Sequence, residues 1–381
     1  LLKGTLEFPR FPAFVGACPV LLARYQQVTK LNLRLPRGRD IRGALRILHV
    51  SSTSTVSGAN RYAFDLAAGQ KDLGHEPIVA MPAKPGTAFD FARRDIRSIV
   101  IRNPRAFSFL KAMYALKPDI VHCHDGTAAR WLRFAPFRPP ALVTLHIRYK
   151  PPTMSHFEGV HMLADWQREA LSGFRGKIAK VNNWTPNIAP MTPKAIAAAR
   201  EAAGAGPDDF LVVYVGRLEH VKGVDLLIDG FRALPDPKLR LAVVGVGLDE
   251  AATNARGAGD PRIRFIGYSS TPMAWYGAAD LLVMPSRREP FALVALEAMA
   301  CGAPIVATTV DGFSEMFRGR EDCLVVPESS GALSEAIALR AARKTAPGIV
   351  RDSYDMARFE RTAGVAAVTR FYDEVVAARR R

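Results

Sequence analysis

Phe210-Leu211-Val212-Val213-Tyr214-Val215-Gly216-Arg217-Leu218-Glu219-His220-Val221-Lys222-Gly223-Val224-Asp225 is the stretch on which the fold turns. Six apolar residues, mostly β-branched or aromatic, run without polar alternation, as in a strand covered on both faces. A glycine ends the run, two cations follow in a short turn, and a second glycine opens a helical pattern. Strand, tight turn and helix in that order form the repeating unit of a parallel α/β sheet.

The same unit recurs in both directions. Residues 46–50, 77–81, 98–101, 119–122, 141–146 and 179–182 read as strands in the first half. Residues 210–215, 239–244, 263–266, 281–284, 304–307 and 324–326 read as strands in the second. Two series of buried strands alternating with helices predict an α/β protein of two doubly wound, Rossmann-like domains. The break falls in residues 185–207, where Pro186, Pro190, Pro193, Gly204, Gly206 and Pro207 cluster, with a helix over 195–203. The expected division is residues 1–43 as an N-terminal extension, 44–190 and 191–365 as the two domains, and 366–381 as a C-terminal helix. Helical spacing of Phe359, Val365, Val368, Phe371, Tyr372 and Val375 extends the helical reading over 353–381.

Ligands of open parallel sheets bind at the carboxyl ends of the strands, so a cleft between two such sheets is the natural site. The residues just after strand ends fit that expectation. The loop Ser51-Ser52-Thr53-Ser54-Thr55-Val56-Ser57-Gly58-Ala59-Asn60 is built of small residues and leads into a helix, which lets a ligand approach the backbone. It lacks GxGxxG, which disfavours a dinucleotide dehydrogenase. Arg217 and Lys222 can both reach one diphosphate, the first as a fork and the second as a point charge. The segment Pro285-Ser286-Arg287-Arg288-Glu289-Pro290-Phe291-Ala292-Leu293-Val294-Ala295-Leu296-Glu297-Ala298-Met299 then carries two carboxylates and a helix start. The helix is expected to bury Val294, Leu296 and Met299. Glu297 stands in an otherwise apolar helix, where an unpaired carboxylate is costly and ligand hydroxyls would satisfy it. A Glu turned to solvent is the plainer alternative.

The chain of 381 residues is 49% hydrophobic and 23% charged, which excludes disorder as its main state. Residues 1–190 hold 28 Lys+Arg against 12 Asp+Glu, so the whole formal charge of +16 lies in the first half. The second half holds 24 of each. That asymmetry points to an anionic partner, with a solvated basic face as the bland alternative. Cys18, Cys123, Cys301 and Cys323 form no CxxC pair, so neither a disulfide framework nor a zinc ribbon is expected. The apolar run at 11–23 is broken by Pro12 and Pro19, so no membrane span or secretory signal is expected. The first residue is Leu1 rather than Met, consistent with a fragment or with a start elsewhere. His122-Cys123-His124-Asp125 admits a metal reading, since alternate strand residues share a face, but no matching ligand pair stands elsewhere. Strand-end residues lining the cleft are the preferred reading.

The Glu289-x7-Glu297 spacing, the Gly216-Arg217-Leu218…Lys222-Gly223 loop and the paired α/β architecture resemble the retaining GT-B glycosyltransferases of family 4. Pro118-Asp119-Ile120-Val121-His122-Cys123-His124, Val143-Thr144-Leu145-His146 and Asp311-Gly312-Phe313-Ser314-Glu315 add to the likeness, which covers about residues 44–375. The resemblance implies two domains facing a central cleft, with the C-terminal helix crossing back to the first. It implies that Arg217 and Lys222 neutralise a donor diphosphate and that Glu297 accepts ribose hydroxyls. Glu289 would contact the transferred sugar, helped by the amides of Phe291, Ala292 and Leu293. Gly58 would bring an amide near the diphosphate, and His146 would lie beside the reacting sugar. Gly245, Gly247 and the Gly267–Tyr268 turn would border the base. A Ser often opens the segment held here by Ala164-Asp165-Trp166-Gln167, which bears on the acceptor side. The chain also departs from the family at Ser57-Gly58, where a double glycine is usual, and at Phe291-Ala292, where Phe-Gly is usual. Neither change removes a backbone N–H.

These implications give an enzyme that moves a sugar from a nucleotide-diphosphate sugar to an acceptor with retention of configuration, in cell-surface polysaccharide or glycolipid synthesis. No Asp-x-Asp triplet occurs, so no metal or other cofactor is expected. The basic half suggests an anionic or lipid-linked acceptor, or an anionic membrane surface on the cytoplasmic side. A nucleotide-sugar epimerase or phosphorylase, and a non-enzymatic basic binding module, are the rival readings. No nucleic-acid motif supports a nucleic-acid partner.

Overall fold

The computed structural model describes residues 43–379 except 55–56, 84–94, 134, 137, 187, 189–190 and 345–347. The N-terminal extension expected at residues 1–43, with Cys18, lies almost wholly outside the described residues. Residues Ala44–Arg381 form one compact unit.

The first sheet has seven strands: β1 (Arg46–Val50), β2 (Glu76–Met81), β3 (Arg97–Val100), β4 (Ile120–Cys123), β5 (Ala141–Leu145), β6 (Gly159–Met162) and β7 (Lys177–Lys180). Its order is β3-β2-β1-β4-β5-β6-β7 and every pairing is parallel. The second has six: β8 (Phe210–Val215), β9 (Leu239–Val244), β10 (Ile263–Gly267), β11 (Leu281–Met284), β12 (Ile305–Thr308) and β13 (Leu324–Val325). Its order is β10-β9-β8-β11-β12-β13, again all parallel. In both sheets the winding reverses beside the first strand, between β1 and β4 and between β8 and β11. Those reversals are where a doubly wound sheet opens a crevice at its carboxyl edge.

The helices are α1 (Gly58–Asp72), α2 (Arg105–Leu116), α3 (Gly126–Arg133), α4 (Pro151–Met154), α5 (Pro193–Ala202), α6 (Val224–Arg232), α7 (Glu250–Gly257), α8 (Pro272–Ala278), α9 (Leu293–Ala300), α10 (Asp311–Met316), α11 (Ser330–Ala342) and α12 (Arg361–Arg379). Local chemistry explains several starts. Ser57 caps α1 by accepting from the Asn60 amide, and Ser329 caps α11 through Ala332. Thr192 caps α5, with Pro193 at the first helical position.

Helix α12 crosses back to the first domain. Val365, Val368, Phe371, Tyr372 and Val375 are buried there. Two glycines admit it: a Cβ on Gly69 would lie 2.7 Å from Val365 Cγ2, and one on Gly159 would lie 2.4 Å from Val375 Cγ2. Arg361 seals the start of the helix on Asp65 of α1 at 3.0 Å.

Three sequence expectations shift. Strand β6 is unforeseen, because Gly159-Val160-His161-Met162 has no β-branched run and owes its strand state to burial between β5 and β7. Strand β7 covers Lys177–Lys180 rather than 179–182. The terminal helix begins at Arg361, since Asp352 pairs with Arg320 and Tyr354 donates to the Ala303 carbonyl, which holds the irregular preceding segment on the second domain, with a short 3-10 turn at Ala357–Phe359 before the helix. No helix among the described residues is long and apolar enough to cross a membrane.

The packing of α12 gives a stability prediction. Phe371→Ala removes a buried ring that lies against Gly159 and is expected to cost about 3–5 kcal/mol, read as a lower urea midpoint. An unchanged midpoint would show that the helix is not part of the cooperative unit.

Candidate functional site

The second-domain side is assembled at the ends of β8, β9 and β11. Gly245 has φ +142°, and a Cβ there would lie 1.8 Å from the Gly216 carbonyl oxygen. Only glycine lets the end of β9 lie directly on the turn that carries Arg217. Gly247 meets the Leu218 carbonyl in the same way, and the Gly245 amide donates to Gly267 at 2.8 Å. The side chain of Tyr268 is exposed beyond it. Arg217 is exposed and ion-paired with Glu219. Gly223, with φ +67°, seats the Lys222 turn against the Pro285 carbonyl at the end of β11. Lys222 Nζ then lies 2.5 Å from Glu289 Oε2, so the two predicted donor-side groups form a largely buried pair.

The loop from Pro285 to Ala292 is pinned from several sides. The Glu289 carbonyl accepts from Gly312, the Pro290 carbonyl from Trp166 Nε1, and the Phe291 carbonyl from Asn183 Nδ2. Helix α9 starts after Ala292, which offers no side-chain cap. Its first-turn amides are therefore available to an anion. Ala295, Leu296, Glu297, Ala298 and Met299 are buried, whereas Val294 is only half-buried, a small correction to the expected face. Glu297 is fully buried. Its Oε1 is held by the Arg61 guanidinium and its Oε2 accepts from Tyr276 at 2.8 Å. The solvent-facing alternative for Glu297 is thus excluded.

Gly58 and Arg61 belong to α1 of the first domain. A Cβ on Gly58 would lie 3.6 Å from Leu293 Cδ1, so the start of α1 faces the start of α9. His146 follows β5. Gln167 fixes the backbone on either side of it, donating to the Leu145 and Ile147 carbonyls at 2.6 and 2.7 Å. The Tyr62 ring stands edge-on to His146, 5.1 Å between centroids. Asp125 anchors the small-residue loop after β1, accepting from the Ser52 amide at 2.6 Å and the Ser52 hydroxyl at 2.7 Å, and caps α3 through Ala128. Arg217, Lys222, Glu289, Phe291, Ala292, Leu293, Glu297, Gly58 and His146 all lie at the carboxyl edges of the two sheets.

A family model described as Glycosyltransferase Family 4 matches residues 56–202, and one described as Glycosyl transferases group 1 matches residues 209–341. The D-inositol 3-phosphate glycosyltransferase of Kribbella flavida is 30% identical over 311 residues, 74% of this chain and 73% of that protein. This chain belongs to glycosyltransferase family 4. The D-inositol 3-phosphate glycosyltransferase of Pseudarthrobacter chlorophenolicus is 37% identical over 151 residues, 36% of each chain. The lipopolysaccharide core biosynthesis mannosyltransferase LpsB of Rhizobium meliloti is 35% identical over 191 residues, 45% of this chain and 54% of that protein. The chain thus spans between 36% and 54% of the length of these last two relatives. HepE of Anabaena, solved with UDP-glucose, superimposes with a TM-score of 0.74 at 22% identity, over 86% of this chain and 99% of that one. At that identity the likeness is one of fold, and the fold is GT-B.

Against this family 4 background, Arg61, Tyr276 and Asn183 are candidate site or supporting residues that sequence reasoning missed, while Trp166 and Gln167 lie in a segment it singled out without giving either side chain a role. None follows a strand end directly, and each acts through a partner far away in the chain. The histidines also read differently. His49, His122 and His124 come close enough together to hold a metal, all buried. Their ring nitrogens are engaged in a hydrogen-bonded chain instead. His49 lies 2.7 Å from Gln70 and 3.0 Å from His124. His122 lies 2.7 Å from Tyr372 and 2.6 Å from Thr144. His124 reaches His146 at 3.3 Å.

Burial depresses all of these imidazoles. His49 and His161 are lowered to about 4, His146 to about 3, and His122 and His124 well below the ordinary value, with neighbouring histidines adding to the effect. In the unfolded chain they protonate near 6.5. Between that value and the folded ones the unfolded state binds more protons, so stability falls as pH drops. Each group contributes up to about 1.4 kcal/mol per pH unit in that window. The urea midpoint is expected to fall as pH drops below about 6.5 and to go on falling toward about pH 4, with proton uptake on unfolding. A flat profile would mean that the histidines are solvated in the native state.

Proposed function

We propose that the protein transfers a sugar from a nucleotide-diphosphate donor to an acceptor hydroxyl with retention of anomeric configuration. The observation that carries this reading is the facing of two helix starts, α1 at Gly58 and α9 at Leu293, with a buried carboxylate and paired cations beside them. The family membership and the fold shared with a UDP-glucose complex support it.

The charge pattern suits departure of a diphosphate. As the bond from the anomeric carbon to the diphosphate oxygen breaks, positive charge spreads over the sugar ring and negative charge grows on the leaving group. Arg217, Lys222 and the first amides of α9 offset that negative charge, an electrostatic role of the oxyanion-hole type. The acceptor oxygen bonds to the anomeric carbon on the face that the diphosphate leaves, and its proton passes to a diphosphate oxygen. In this reading Glu289, held by Lys222, contacts hydroxyls of the transferred sugar and Glu297 accepts from the ribose. A ribose that reaches Glu297 must share it with Arg61 or displace it. Gly245, Gly247 and Tyr268 flank the region read as the base site. Arginine and lysine supply the cationic role, so the reading requires no divalent metal.

The acceptor is read from the first domain. Residues 1–42 hold 8 Lys+Arg against 2 Asp+Glu, leaving 20 against 10 in residues 43–190. Such an excess suits a phosphorylated or lipid-linked acceptor, or docking on the anionic cytoplasmic face of a membrane. Relatives named as acting on D-inositol 3-phosphate or in lipopolysaccharide core synthesis favour the same classes.

Two measurements test this. With a panel of nucleotide sugars, the wild type is expected to bind at least one donor and release nucleoside diphosphate in proportion to glycosylated product. Glu297→Ala is expected to weaken donor binding, and Lys222→Met to lower kcat by about 10²–10³. No bound donor, or unaffected variants, would sink the donor-site reading. Separately, vesicles of anionic lipid are expected to bind the full chain, and salt to release it. Salt-independent or absent binding would favour a soluble acceptor.

A further inference from the structure

The hydrogen-bonded histidine chain has a direction, and one end of it is fixed. The Val181 carbonyl, just after β7, can only accept. It lies 2.9 Å from His161 Nε2, which therefore carries the ring proton. His161 Nδ1 is left bare and lies 2.9 Å from Thr144 Oγ1, which donates its one proton to it. Tyr62 is the competing donor, but at 3.4 Å it is the weaker one.

Each assignment then forces the next. Thr144 Oγ1, its proton committed, accepts from His122 Nε2 at 2.6 Å. His122 Nδ1 is bare and accepts from the Tyr372 hydroxyl at 2.7 Å. The Tyr372 oxygen accepts from Gln70 Nε2 at 2.9 Å, and Gln70 Oε1 accepts from His49 Nε2 at 2.7 Å. His49 Nδ1 accepts from His124 Nε2 at 3.0 Å, and His124 Nδ1 accepts from His146 Nε2 at 3.3 Å. A cationic imidazole would put protons on both nitrogens and break this order. Burial keeps all five rings neutral near pH 7. His146 Nδ1, the last atom of the chain, is left without a proton and has no hydrogen-bond partner among the described residues.

We propose that His124 and Tyr372 are positioning residues that lock His146 in the tautomer protonated on Nε2, so that its bare Nδ1 meets the substrate only as a hydrogen-bond acceptor. This rests on the reading of His146 as lying beside the transferred sugar. The group it recognises is then a hydroxyl of that sugar. A phosphate or carboxylate oxygen at the same place would face a lone pair with no proton between them, so a donor carrying a carboxylate there is rejected. The C-terminal helix enters the site in this way through a single phenol, although it touches no substrate.

The tautomer can be read without turnover. In the 15N-labelled full chain near pH 7, the His146 signals, assigned by their loss in His146→Gln, are expected to show a bare Nδ1 and a protonated Nε2. The opposite pattern, or an averaged pair, overturns the proposal. Tyr372→Phe keeps the ring packing and deletes the hydroxyl that links His122 to Gln70. It is expected to average the two His146 nitrogens and to lower kcat about tenfold, the equivalent of one hydrogen bond, with the donor KM within about twofold. An unchanged His146 spectrum in that variant overturns the relay. His124→Asn places an oxygen where Nδ1 stood and is expected to recover most of the kcat lost in His124→Leu, and equal loss in the two overturns the role of His124. If the wild type turns over no nucleotide sugar, the functional reading fails, while the tautomer result still decides the relay.

Discussion

A carboxylate removed from water needs a compensating charge or hydrogen bonds, and the site of this protein is organised around that constraint. Glu297 is fully buried and meets it with a cation from the opposite domain and a phenol from its own. The compensation joins α1, α8 and α9, so it couples the position of the first domain to the start of α9. Lys222 and Glu289 repeat the arrangement one loop away. The charges that the cleft offers to a ligand are thus also contacts that shape it.

The second tie between the domains is the chain itself, which crosses twice. Asp65, one turn beyond Arg61 on α1, takes the Trp184 indole from the first crossing and Arg361 from the second. On the other face of the cleft, Glu315 gathers Lys180, Asn182 and the Asp165 amide. Trp166 and Asn183 hold the carbonyls of Pro290 and Phe291. The contacts between the domains and the geometry of the Glu289 loop consequently rest on the same few residues.

How much of this is legible in the sequence depends on whether a residue's environment is local. Strands β8 and β11 are uninterrupted apolar runs ended by Gly216 and Pro285, β9 is broken only by Arg240 before Gly245, and all three read directly. Arg217, Lys222, Glu289 and Glu297 are legible because strand ends in parallel sheets point to the crevice. β6 is not legible, since a glycine and a histidine in a run of four read as loop until β5 and β7 bury them. Arg61 is illegible for a different reason. A helical arginine looks like any solvated cation until the fold brings it to a glutamate 236 residues away. The same holds for Tyr372, whose spacing marks it as core but whose hydroxyl finds His122 only across 250 residues.

The histidines show what this non-local assembly adds. Read along the chain, His122-Cys123-His124 is a pair of possible ligands on one strand face. Folded, those rings stack at 4.4 Å between centroids and are enclosed by Tyr62, Tyr372, Gln70 and Thr144. Each ring then has one donor and one acceptor to satisfy, and burial removes the cationic alternative. A neutral imidazole has two tautomers of nearly equal energy in water, so it specifies little by itself. Linked to a carbonyl through partners with one assignable proton each, it has only one. The first domain therefore brings to the cleft an excess of positive charge on its surface and, at His146, a neutral acceptor whose polarity is set from the interior.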